Sequence, residues 1–276
     1  MPEPEITYLP LATAQWVNGL DAVHGFTEQF KQNLGPAEKL PDMLGRYWVR
    51  NLYYDPDTTT RIDHIRNDPG YRDLTYSYHR SVEESLVLHG GLIFDPEGEF
   101  QAGDYFWRPA GFSHIAVHAE FGAESLLMMT GVDEEEDSGV GDRNICPPET
   151  AGRNLLHPDG SRRSVGSRGW IRRLKTPDLA WSRVVEPGWY PVLGDGVQAK
   201  ELSRNPTTRA VSALQQVPRG VTATVTAEPR RVFAFVTAGR LESELGPLEY
   251  GTALLLPPGA SLQLRATNPA QLFVKG

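Results

Sequence analysis

At 276 residues, with 39% hydrophobic and 22% charged side chains, the chain can bury a substantial core and is not disordered. Its 35 acidic residues outnumber 27 basic ones, giving a net charge of −8, and a nucleic-acid partner is therefore not expected. The single cysteine, Cys146, excludes an internal disulfide and any site built from several thiolates. The acidic N-terminus and the lack of a long apolar run argue against a secretion signal and a membrane partner, so the expected location is cytoplasmic.

In residues 1–45 the apolar side chains Trp16, Leu20, Val23, Phe26, Phe30 and Leu34 recur at three- and four-residue spacing. That stripe predicts an N-terminal helical segment, although Gly19 and Gly25 weaken it. Over 46–132 the pattern changes to short runs rich in Val, Ile, Thr, Tyr and Phe, separated by Gly, Pro, Asn and Asp. Many short strands with close turns predict an all-β sandwich or barrel. Residues 133–177 read as a linker, with an acidic run at Asp133–Asp137 and a basic cluster that includes Arg168, Arg172, Arg173 and Lys175. Short strand patterns resume over 178–276.

The two strand-rich stretches parallel each other. "G-D-Y-F-W-R-P-A-G-F-S-H" at 103–114 matches "G-T-A-L-L-L-P-P-G-A-S-L" at 251–262, with the opening Gly and the Pro-x-Gly turn in step. "E-E-S-L-V-L-H-G-G-L" likewise parallels "V-F-A-F-V-T-A-G-R-L". One long repeat means two similar domains rather than a solenoid.

The first copy carries chemistry. His79 and Glu83 would lie about 13 Å apart on one straight strand. A tight turn between them would instead let them face one point, joined by His114 from a third strand. Two imidazoles and a carboxylate suit a divalent first-row metal with open positions, either Fe(II) or a Lewis-acidic Zn²⁺. His118 lies four residues beyond His114 on the same strand face and is a candidate general acid or base. His89 and His64 are weaker candidates. Equal spacing makes Thr226, Glu228, Val232 and Leu262 the second-copy counterparts of Ser77, His79, Glu83 and His114, so the second copy has lost the set.

The stretch 103–114 resembles the second cupin motif, G-x5-P-x-G-x2-H, at every fixed position. "H-R-S-V-E-E-S-L-V-L-H-G" resembles the later part of the first motif, H-x-H-x3-4-E-x6-G. The match runs over 77–118 and is similar to ChrR-type cupins and to dioxygenases that cleave aromatic ketones and β-diketones. With the repeat, the resemblance implies a bicupin: two tandem double-stranded β-helix (jelly-roll) barrels. It implies a metal held by His79, Glu83 and His114. It also puts Ser77 where the family has its first His, leaving three protein ligands and a hydroxyl that can hydrogen-bond a bound water.

These readings predict a metal-dependent enzyme acting on a small organic substrate. The leading form is a non-haem Fe(II) dioxygenase, with a homodimer as a family expectation. The alternatives are a non-redox lyase, isomerase or hydrolase using Zn or Mn, and a ligand- or metal-sensing cupin without turnover. The first 45 residues contain only His24 and no Cys, which disfavours the zinc-binding partner domain such sensors carry.

Overall fold

The computed structural model describes residues 5–25, 31–32, 34–55, 60–130, 143–155, 171–184, 189–206 and 208–276. They form two compact units: Gln15–Lys175, and a second that combines Met1–Ala14 with Thr176–Gly276. Both are built almost wholly of antiparallel strands.

In the first unit one sheet runs in the order Ile171–Lys175, Asp104–Arg108, Val82–Asp95, Ala123–Thr130, Arg61–Asn67, Tyr47–Tyr54 and Val17–Asn18. The 14-residue strand Val82–Asp95 serves two layers. Its first half pairs with Asp104–Arg108, and its second half pairs with Gly98–Gln101 and Ile115–His118. The bend falls at Gly90, whose φ of 66° is a left-handed conformation that suits glycine. The register with Ala123–Thr130 shifts between Glu124 and Ser125, where Leu88 is the extra residue of the long strand. Between the layers Phe94, Phe100 and Phe106 meet edge to face at 5.3–5.6 Å, together with Val87, Leu92 and Ala123.

The predicted N-terminal helix is not continuous. Asn18 caps a four-residue helix, Gly19–Ala22, and a second helix covers Leu40–Leu44 with Pro41 at its first turn. Gly19 lies so close to Leu44 that an added Cβ would sit 2.7 Å from the Leu44 carbonyl oxygen. Trp16 packs its ring on His64 instead of extending a helical stripe. Phe26 and Phe30 lie outside the described residues.

The stretch read as a linker is partly structural. Arg143–Ile145 pairs with Ser77–His79, and Ile171–Lys175 pairs with Asp104–Trp107. Arg173 of that edge strand reaches Asp104 at 2.7 Å. The acidic run Asp133–Asp137 and Arg168 fall outside the described residues.

In the second unit Thr7–Leu9 is the edge strand of a seven-stranded sheet, pairing with Ala253–Leu255. A five-stranded sheet forms the other layer. The core between them is aliphatic, with Val225, Val232, Leu241, Leu254, Leu262 and Leu264 at most 3% exposed.

Candidate metal centre

His79 ends the short strand Ser77–His79, and Glu83 is the second residue of Val82–Asp95. The intervening turn redirects the chain, so the two side chains converge. His114 follows the Pro109–Gly111 turn and is bridged to Ser77 by a reciprocal pair of backbone hydrogen bonds, each 3.0 Å. One donor atom from each of His79, Glu83 and His114 lies within 4.8 Å of the other two. Glu83 and His114 are buried, and His79 is half-buried.

The donor set is prepared for a cation. His114 Nδ1 lies 3.1 Å from the Phe112 carbonyl, which accepts only if Nδ1 carries the proton. That leaves Nε2 as a lone-pair donor, 3.3 Å from Glu83 Oε2. Burial and the neighbouring Arg108 guanidinium push the His114 pKa down to about 3, so the ring is neutral. Burial alone would raise the Glu83 carboxyl; Arg108, with help from the two imidazoles, overcomes this and holds it at about 2. Neutral imidazole and ionised carboxylate are the forms that bind metal.

Arg108 and Glu97 went unnoticed in the sequence. Arg108 is fully buried; its Nη1 donates to Glu83 Oε2 at 3.0 Å, its Nε donates to Glu97 Oε1 at 3.2 Å, and its Nη2 donates to Glu97 Oε2. The guanidinium lies over the rings of Phe94 and Phe106, at 4.5 and 3.8 Å from their centroids. Glu97 offsets the Arg108 charge, so the negative charge of Glu83 remains for a cation. The sequence signal was faint: Arg108 occupies a variable position of the Gly-to-His stretch, and Glu97 sits in a turn.

His79 also lines a cavity of about 330 Å³. Leu34, Met43, Leu127 and Met129 give it apolar walls, and Tyr47 and Tyr71 add hydroxyls. Its two arginines are neutralised locally: Arg61 Nε lies 2.7 Å from Asp63, and Arg143 Nη2 lies 2.7 Å from Asp73. Arg143 is directly opposite His79 in the strand pair, so the presumed linker supplies a cavity wall. Burial pushes the Tyr47 and Tyr71 phenols up, Tyr71 well above its ordinary value, so both stay protonated.

The other candidates are placed elsewhere. Ser77 is buried beside His114 through the backbone bridge. His118 ends the strand Ile115–His118 and pairs with Ile93; it joins neither the donor cluster nor the cavity wall. His64 is buried, with Nε2 2.5 Å from Glu124, and His89 pairs with Glu124 in the sheet.

The second unit has no such set among the described residues, and its register shifts two of the expected counterparts by one. Gly111 N–H donates to the His79 carbonyl, and Gly259 N–H donates to that of Ala227, both at 2.7 Å. Ala227 therefore replaces His79, and Val225, opposite Leu262, replaces Ser77. Val232 faces Leu256 as Glu83 faces Arg108. The turn before Val232 is one residue longer, which equal spacing in the sequence hides. Alanine, valine and leucine fill every ligand position.

No protein-family model matches the chain, and no curated protein does. Solved structures match its fold. A "putative dioxygenase" of Nostoc punctiforme PCC 73102 superposes with a TM-score of 0.72 at 14% identity, over 99% of this chain and 82% of that one. The Escherichia coli pirin YhhW in complex with nickel(II) gives 0.55 at 12% identity, over 98% of each chain. The Lactobacillus farciminis oxalate decarboxylase formate complex gives 0.55 at 13%, over 97% and 85%. At these identities the likeness establishes the tandem cupin-type barrel fold and no activity.

Proposed function

We propose that the chain is a metal-dependent enzyme acting on a small, mainly apolar organic molecule, with a non-haem Fe(II) dioxygenase as the leading form. One observation carries this reading: His79 belongs both to the cluster with Glu83 and His114 and to the wall of the 330 Å³ cavity. The donor chemistry fits a divalent ion, because the set holds one fixed imidazole lone pair at His114 and one ionised carboxylate at Glu83. Three ligands leave positions open.

A bound divalent metal would supply a Lewis acid for a substrate oxygen and, as Fe(II), a centre that binds dioxygen. The chain's residues do the rest. Arg108 fixes Glu83 and keeps it deprotonated. The Phe112 carbonyl fixes the His114 tautomer. Tyr47 and Tyr71, held protonated, serve as hydrogen-bond donors and not as bases. The two internally paired arginines give the cavity no net positive charge, which favours a neutral substrate over a polyanion. The apolar wall orients the substrate and excludes water.

The test is elemental analysis of untagged protein, followed by oxygen uptake with a panel of diketones and phenols. Near-stoichiometric iron, with uptake lost in His114→Ala, supports the dioxygenase. Zinc or manganese with anaerobic turnover replaces it by Lewis-acid chemistry. Absence of metal after reconstitution with each ion overturns the metal reading.

A further inference from the structure

We propose that the second unit holds a metal-free binding site for a small carboxylate with a planar apolar body. The site is a separate pocket of about 190 Å³, lined among others by Trp189, Leu193, Arg209, Glu228, Arg230 and Val232. Its floor includes Val232, the residue that stands where the first unit has Glu83. Loss of the metal donors therefore left a pocket of different chemistry.

Three observations define the ligand. First, Arg209 and Arg230 make no ion pair or hydrogen bond to a described residue. Elsewhere in this chain, the guanidiniums of Arg61, Arg108 and Arg143 all have carboxylate partners. The same lining holds the carboxylates of Glu228 and of the terminal Gly276, but neither is within ion-pair distance of Arg209 or Arg230, so both guanidiniums keep a free face, and guanidinium matches carboxylate in a two-point fork. Second, Arg209 has a φ of 64°, the one left-handed conformation at a non-glycine among the described residues. Such backbone geometry at a bulky residue persists where the surroundings over-determine it. Here Asn205 N–H donates to the Ala210 carbonyl at 2.8 Å and Ala210 N–H to Thr208 Oγ1 at 3.3 Å, closing the loop. The loop sets the Arg209 guanidinium 5.3 Å from the Trp189 ring centroid, while Arg204 lies 4.1 Å from the same ring. Third, Trp189, Pro191, Leu193 and Val232 give the lining a mainly apolar character, with Tyr190 and Thr226 as its uncharged polar groups, so the body of the ligand is mainly apolar. The volume is below the ~300–1,000 Å³ of pockets for drug-sized ligands, which limits the ligand to about one ring and one acid group.

Titration of the full-length protein with benzoate, followed by calorimetry and tryptophan fluorescence, tests this. The expected result is saturable 1:1 binding of benzoate, at least tenfold weaker binding of benzamide, and at least a tenfold loss of benzoate affinity in the double variant R209Q/R230Q. Arg209 is exposed and Arg230 half-buried, each on its own loop between strands, so the variant should melt close to the parent. The double variant H79A/H114A, which removes the metal donors of the first unit, is expected to keep benzoate binding intact. That result holds whatever the metal reading yields. No saturable binding, equal binding of benzamide, an unchanged affinity in R209Q/R230Q, or loss in H79A/H114A would each overturn the proposal.

Discussion

Arg108 Nη1 stands 3.0 Å from Glu83 Oε2, with the arginine fully buried and the carboxylate nearly so. The other edge of the guanidinium is taken up by Glu97. A cation enclosed between two carboxylates and three phenylalanine rings is stable only as a complete set. Replacing Arg108 by Met leaves Glu83 and Glu97 buried without a counter-charge. The expected cost is about 3–5 kcal/mol of unfolding free energy in the metal-free protein. The double variant R108M/E97Q should lose clearly less than R108M alone. Urea unfolding of both variants checks this, and equal losses would mean that Glu97 is not a partner of the arginine.

Metal stoichiometry follows from the two registers. The first unit offers two imidazoles and a carboxylate, and the second offers Ala227, Val232 and Leu262 at the same places. Reconstituted protein is expected to bind one divalent ion per chain, not two. H79A and H114A should each weaken binding by tenfold or more, and E83Q should do the same while keeping the side-chain volume. Competition with a chromophoric chelator measures all three. Two ions per chain would contradict the assignment of the second unit.

Acid sensitivity should be traceable to His114. Its pKa falls from 6.5 to about 3 in the folded chain, chiefly by burial. Between those values the unfolded chain holds a proton that the folded chain does not. Stability of the metal-stripped protein therefore declines as pH drops below 6.5, by up to about 1.4 kcal/mol per pH unit. Glu83, lowered from 4.5 to about 2, keeps its contribution above pH 4.5 and loses it only as the pH falls toward 2. Buried His64 is also lowered and acts with the same sign as His114. The difference between parent and H114Q isolates one proton: the variant should show the shallower loss between about pH 6.5 and 5. Parallel curves would refute it.

The clustering of His79, Glu83 and His114 was legible because local turn chemistry brings them together. The Pro109–Gly111 turn and the short turn after His79 place all three donors within a stretch of the chain whose spacing is readable. The cavity wall was not legible. Arg143 sits in a three-residue strand in a Pro-, Gly- and Arg-rich stretch, and only its pairing opposite His79 gives it a role. Thr7–Leu9 carries no pattern that names its partner, Ala253–Leu255, more than 240 positions away. The stripe from Trp16 to Leu34 has helical spacing, but its α-helix Gly19–Ala22 is only four residues long, and the contact of Trp16 with His64 is tertiary. The one-residue shift at Ala227 shows the limit of aligning two copies by spacing alone.

Gly90 closes the first motif, and its conformation explains why. At φ 66° an added Cβ would lie 2.1 Å from the Gly122 carbonyl oxygen, a backbone atom that cannot swing aside. Gly239 repeats the arrangement in the second unit, with 2.0 Å to the Pro269 carbonyl oxygen. Each lies at a strand bend next to a bulge in the sheet register. Gly90→Ala is therefore expected to destabilise the first unit by about 2–4 kcal/mol, well beyond the ordinary effect of a surface glycine. Gly98 is the control: it is also left-handed, at φ 93°, but nothing lies within 4 Å of its added Cβ. Gly98→Ala should cost only the backbone strain, about 1 kcal/mol. If the two variants unfold at the same urea concentration, the crowding at Gly90 is not what the motif glycine relieves.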